Sequence, residues 1–175
     1  MIKEAKDILH NVVAARTPGV TIARSMAEEQ RAIMARKWPL VSLITNPGSF
    51  DDRDAKIIRY ADTEAQTLKQ RYVRGKRTLP VLLRVWAEGE DATDVLFSRI
   101  LPGIPRRWVY DDIEGTVLIG AEEHSDFEDT TSKLYLSVAE IQFTVPVALE
   151  EELVPTFQKV EAEPQMAARE GAEEE

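Results

Sequence analysis

The amino-acid sequence predicts an α+β fold: a mainly antiparallel twisted sheet with helices packed on one face, plus a mobile acidic C-terminal tail. Three observations carry this. Two long stretches read as strands: Leu79–Trp86 is apolar except for Arg84 and sets Leu79, Val81, Leu83 and Val85 on one face, and Lys133–Val147 places its apolar residues with a period of two. Three segments, 2–16, 25–37 and 90–101, carry the spacing or end signals of helices. Past Leu149 the periodicity collapses into glutamate clusters and prolines.

The 175 residues fit one domain, long enough to bury a core without staples. The expected division is a folded domain over 1–149 and a flexible acidic tail over 150–175. The net charge of −9 is uneven. Residues 150–175 hold nine acids and two bases, −7, which leaves −2 for the remainder. The absence of cysteine excludes disulfides, thiol nucleophiles and thiolate metal sites, and two histidines make a histidine-rich zinc site a poor fit. No apolar run approaches the roughly 20 residues of a membrane span. The opening MIKEAKDILH mixes acids with bases and has no apolar core, so no export signal is expected.

Residues 2–16 place Ile2, Ala5, Ile8, Leu9, Val12 and Val13 on one helical stripe, ended by Thr17-Pro18-Gly19. A short β-branched piece, Val20–Ala23, follows. Ser25 and Glu28 have capping-box spacing for a helix to about Lys37. Its thin apolar face (Met26, Ile33, Met34) suits a peripheral helix or one that packs on a partner. Leu40–Thr45 reads as a buried strand and Asn46–Ser49 as a turn. Ile57–Tyr60 suggests another strand.

Tyr72–Ala87 is the clearest strand. Its run Leu79–Trp86 is apolar except for Arg84, and Pro80 suits a strand start, an edge or a bulge. The helix over 90–101 should turn Ala92, Val95, Leu96, Ile100 and Leu101 inward. Strands at Arg107–Tyr110 and Gly115–Ala121 flank a turn over Asp111–Gly115. In Lys133–Val147 the apolar parity changes: Leu134, Leu136 and Val138 share one face, and Ile141, Phe143, Val145 and Val147 the other. A bulge near Ala139-Glu140 would do this. So would a strand that buries opposite faces along its length, as in leaving its own sheet for a neighbour's. Leu83, Val85, Ile141 and Phe143 should line one layer beneath the helices at 2–16 and 90–101.

Candidate chemistry is sparse. The acids Asp51/Asp52/Asp54, Asp111/Asp112/Glu114 and Glu122/Glu123/Asp126/Glu128/Asp129 lie in turn-like sequence without the order of a calcium loop. His124 neighbours Ser125 and Asp126, but triad members meet through the fold, and no nucleophile elbow exists. His10 fits a surface or rim position. No phosphate-loop glycine pattern occurs. The expectation is a protein without catalytic, cofactor or metal site. The one charge feature is basic: Lys69, Arg71, Arg74, Lys76 and Arg77 within nine residues. It fits phosphate or an acidic partner surface, or else an edge strand guarded by charge. Arg106, Arg107 and Trp108 are interface-prone types, with Trp108 equally suited to a core.

The order of elements resembles a family. An opening helix is followed by Arg77-Thr78-Leu79-Pro80-Val81-Leu82-Leu83-Arg84-Val85-Trp86-Ala87, then the acid-rich helix start Glu88-Gly89-Glu90-Asp91-Ala92. Two strands follow, and a long last strand ends in Ile141-Gln142-Phe143-Thr144-Val145-Pro146-Val147. Over residues 1–149 this is similar to the tail terminator, or tail completion, proteins of long-tailed bacteriophages and prophages. The helix at Ser25–Lys37 and the acidic tail depart from that pattern. The resemblance implies a closed ring, usually a hexamer, at the head-proximal end of the tail tube. Such a ring stops tube growth and then meets the neck of the filled head. Its partners would be further copies of itself, the tail tube protein and a neck or head-completion protein. Genomic DNA would pass through it without sequence-specific recognition, and there would be no membrane partner. Assembly in the host bacterial cytoplasm and residence in the virion tail follow. A different class of reading is a partner- or nucleic-acid-binding adaptor using 69–77.

Overall fold

The computed structural model describes residues 1–53, 56–62, 67–129 and 132–154. Three helices, α1 (Ile2–Arg16), α2 (Met26–Met34) and α3 (Glu90–Ile100), surround strands β1 (Thr21–Ala23), β2 (Leu40–Thr45), β3 (Ser49–Asp51), β4 (Lys56–Asp62), β5 (Thr67–Glu88), β6 (Arg107–Tyr110), β7 (Ile113–Asp129) and β8 (Ser132–Val154). The strands form one sheet in the order β1-β2-β5-β8-β7-β6, with β3 and β4 on the β2 flank of β5. Only β1–β2 is parallel; every other pair is antiparallel. The fold is α+β, as expected.

Odd-numbered residues of β5 meet the apolar face. Leu79, Val81, Leu83 and Val85 are buried there with Val41, Leu43, Ile141 and Phe143. Leu83, Val85, Ile141 and Phe143 are each fully buried, so the predicted layer is present. α1 covers it through Ala5, Leu9 and Val13, spaced four apart on one helical stripe. α3 covers it through Thr93, Phe97 and Ile100. Here the predicted face is off by about one position: Ala92 is exposed and Val95 is 46% exposed, whereas Phe97 fills the core. The apolar residues on both sides of α3 left the stripe ambiguous, and the largest side chain took the interior.

α2 lies on the opposite face, so only two of the three helices share the expected side. Ala32 packs with Leu40, Trp86 and Leu136, the residues of alternate parity to the main core. The capping box forms in modified shape. The Glu28 amide donates to Ser25 Oγ at 3.3 Å, while the Glu28 carboxylate accepts from the Arg24 amide rather than that of Ser25.

This position explains the parity change in β8. The strand pairs with β5 without interruption from Leu134 to Val147, so there is no bulge in β8 at Ala139-Glu140. Leu136 serves the α2 cluster, and Ala139, Ile141, Phe143 and Val145 serve the main core. One straight strand buries opposite faces within a single chain. The bulge is in its neighbour: Ile119 pairs with Ile141 and Glu122 with Ala139, so Gly120-Ala121 oppose Glu140 alone.

The last strand also runs past the expected boundary at 149, to Val154. Residues 155–175, the remainder of the expected tail, lie outside the described residues. The β6–β7 connection is tighter than the sequence suggests. Asp111 (φ 52°) and Asp112 (φ 58°) form a two-residue turn, and Ile113–Gly115 already belong to β7. Gly115 is required by close approach, since a Cβ there would lie 2.3 Å from the Thr144 carbonyl oxygen.

Candidate interaction surface

The basic stretch lies in the first half of β5, between β4 and the end of β8. Two irregularities bend this region. Tyr72 pairs with Glu150, Val73 with Ala148 and Gly75 with Val147. Leu149 on one strand and Arg74 on the other are therefore each an extra, unpaired residue. The bend brings the β3 backbone over Gly75, where a Cβ would lie 2.2 Å from the Asp51 carbonyl oxygen.

This bend and the strand alternation separate the five bases. Lys76 opposes Pro146 and Asp51, whereas Arg77 opposes Val145 and Phe50 on the other face. Arg74 and Arg77 are exposed; Arg71 and Lys76 are half-buried. Of Lys69, only the backbone register, opposite Tyr60 and Leu153, is described. Gln70, Arg71 and Tyr72 stand directly across from Glu152, Glu151 and Glu150. Two bases of the stretch thus face acids of their own chain: Arg71 opposes Glu151 across β8, and Lys76 opposes Asp51 across β3. On the β4 side, Arg59 Nε donates to Gln70 Oε1 at 3.1 Å, and Gln70 Nε2 donates to the Tyr72 hydroxyl at 2.7 Å.

Arg106 and Arg107 are exposed on the far edge, and Arg107 pairs with Glu114 at 2.9 Å. Trp108 is not a surface residue. It is 4% exposed, meets the Phe143 ring edge-on at 5.2 Å, and donates its indole N–H to the Thr144 carbonyl at 3.2 Å. Its place is the core, and it leaves the interface candidates.

The sheet face beyond α2 is open. Ser49, Thr78, Thr144, Thr116 and Arg107 are successive partners across β3, β5, β8, β7 and β6. Directly opposed residues share a face, so this is one polar row across five strands. Thr78 and Thr144 hydroxyls meet at 3.1 Å. Leu118, on the same parity of β7, is 59% exposed. Nothing in the sequence marks this row, because each threonine stands alone until the register aligns them.

A second feature missed from the sequence anchors α2. Glu29, 3% exposed, accepts from Ser42 Oγ at 2.6 Å, Arg84 Nη1 at 2.9 Å and Trp86 Nε1 at 2.9 Å. The Arg84 guanidinium also lies 5.8 Å from the Trp86 ring centroid. The signal was Arg84 itself: a lone charge in an apolar run needs a partner.

The titratable residues singled out in the sequence take the following places. His124 Nδ1 lies 2.8 Å from the Oγ of Ser137, 13 residues further on, and Ser137 is 2% exposed. The pair joins β7 to β8, and both residues line a 160 Å³ hollow together with Glu90, Asp94 and Tyr135. Asp51 is held at about 2, below its ordinary 3.8, by hydrogen bonds from Arg53, which grips both its oxygens at 2.9 and 2.8 Å. Asp111 and Asp112 are exposed turn residues. Among the described residues, no three acids or histidines come together to hold a metal, and no helix is long and apolar enough to cross a membrane.

The fold and surface therefore define a class: an α+β sheet protein with one face packed, one partly open, and polar edges. No family model matches the chain, and no curated protein matches it.

Proposed function

We propose that this protein is an assembly subunit: a structural virion protein that caps the head-proximal end of a phage tail tube as a closed homo-oligomeric ring. The observation that supports this most is the shape of the sheet's margins. Its two edges differ, β1 with β3 and β4 on one side and β6 with the open part of β7 on the other, and strands of 22 and 23 residues carry the β5–β8 pair beyond the main core on the β4 side. Two unlike edges on one subunit favour head-to-tail contacts, which close into a ring when the rotation permits. A six-fold ring is the expected order from the resemblance. In that role the ring halts tube polymerisation and offers its other side to the neck.

The adaptor reading draws less support. The bases of 69–77 divide between faces, Lys76 and Arg77 lying on opposite sides of the sheet, and Arg71 stands across from Glu151, which breaks up a single positive surface for a phosphate backbone. Native mass spectrometry with negative-stain imaging tests the proposal. Closed rings, and copurification with tails at their head-proximal end, are expected. A protein absent from particles that binds nucleic acid with a steep salt dependence would replace this reading with the adaptor.

A further inference from the structure

A long strand edge with nothing paired to it is a template for another strand. β7 presents one. β6 pairs only with Ile113–Thr116, and the Val117 amide is taken by the Arg106 carbonyl at 2.9 Å. From Leu118 to Asp129, no strand among the described residues pairs with the outer side of β7. Two devices that usually blunt such an edge are missing from it: it is not short, and it has no proline. The α3 contact with β7 is made on the face of the sheet, where the Phe97 ring meets His124 edge-on at 6.4 Å.

The opposite margin of the same sheet holds a second free edge. β4 pairs with β5 over seven residues, Lys56 to Asp62, and with no other strand among the described residues. The two edges carry opposite charge. Residues 118–129 contain five carboxylates and no lysine or arginine. β4 contributes Lys56 and Arg59, both exposed, against the single acid Asp62. Each edge also exposes apolar surface: Ile57 is 54% exposed, Leu118 59% and Ile119 43%.

An acidic edge repels a second copy of itself, which disfavours β7–β7 pairing, and attracts a basic one. We infer that the outer edge of β7 in one copy receives the β4 edge of the next copy, extending one sheet from subunit to subunit. Backbone hydrogen bonds and Ile57, Leu118 and Ile119 supply the adhesion; the charges set which edges meet. The two edges sit near opposite ends of the long strands, so each copy is displaced along the strands relative to its neighbour. Closed sheets of tilted strands have this stagger. The inference rests on the assembly-subunit reading above.

The lack of cysteine makes the test direct. I57C is mixed with L118C, I119C, E123C or S125C at high protein concentration, and a short bismaleimide is added. The expected result is a cross-linked dimer from I57C with at least one β7-edge variant, and none from either variant alone. K56E in the I57C chain should lower the yield about tenfold at low ionic strength, and E123K in the partner should restore it. All these positions are exposed, and R59C replaces I57C if the latter fails to fold, as judged by its melting curve. Closed rings by native mass spectrometry without any cross-link would overturn the edge contact and leave the ring standing. Cross-links within open-ended polymers would uphold the edge contact and remove the ring. A monomer at every concentration with no cross-link would remove both.

Discussion

Beneath α1 and α3 the sheet buries Leu9, Phe97, Ile141 and Phe143 at no more than 1% exposure. On the other face of the same strands, α2 brings down a single carboxylate, Glu29, which gathers Ser42, Arg84 and Trp86. The first face is held by apolar area, which is additive and tolerant of exchange between residues of similar volume. The second is held by a hydrogen-bonded charge, whose desolvation cost is offset only while all partners remain. The difference teaches how one sheet can be a core on one side and a surface on the other. Area covers a whole face, whereas a polar clamp fixes one helix at one corner and leaves the remainder open.

The largest effect should come from the apolar face. Phe143→Ala should cost about 3–5 kcal/mol, because it removes a fully buried ring and the support of Trp108. Chemical denaturation measures this; a loss well below 1 kcal/mol would mean that the main core lies elsewhere. Glu29→Ala should cost about 2–3 kcal/mol, less than a fully buried pair because the Arg84 side chain is 26% exposed. The double variant Glu29→Ala, Arg84→Leu should recover part of the loss, since it removes the stranded charge. No recovery would show that α2 is held by Ala32 and its apolar neighbours instead.

Ending the chain after Leu149 should act locally. It strips β5 residues 68–72 of their β8 partners while the core ladder from Leu79 upward is untouched. Hydrogen exchange should speed at 68–72 and at β4, with the melting temperature lowered by only a few degrees. Ending it after Val154 should spare that protection. Equal exchange in the two truncations would show that β8 beyond Leu149 contributes nothing to the arm. The smallest effect belongs to Asp51, whose carboxyl is exposed. Its folded-state pKa is depressed, so any stabilisation is present above 3.8 and is lost as pH falls through about 2. Asp51→Asn should therefore leave the melting curve at pH 7 almost unchanged and flatten the pH dependence only within that window, between about 2 and 3.8. A clear destabilisation at pH 7 would mean that Asp51 anchors the β3 turn over Gly75.

Much was decided by local pattern. The limits of α1, the run of β2, the centre of β5 and the layer of Leu83, Val85, Ile141 and Phe143 follow from periodicity, because burying one side of a helix or strand forces a period of 3.6 or 2 onto the chain. The Arg84 exception and the parity change in Lys133–Val147 were also visible as anomalies. What they meant was not. Arg84 needed Glu29, 55 residues away, and the parity change needed α2 on the far face to give Leu136 somewhere to go. Trp108 had no local pattern to separate core from interface, since its partners Phe143 and Thr144 lie across two strands. The basic stretch read as one cluster because sequence places Lys69–Arg77 side by side, whereas alternation and the bulge at Arg74 divide it. The threonine row is the reverse case: Thr78, Thr116 and Thr144 are far apart in sequence and are aligned by register alone. Periodicity is local because it records which side of one element is dry. Pairing, register and the choice of face are set by contacts between distant segments, and these exist only once the sheet has closed around its core.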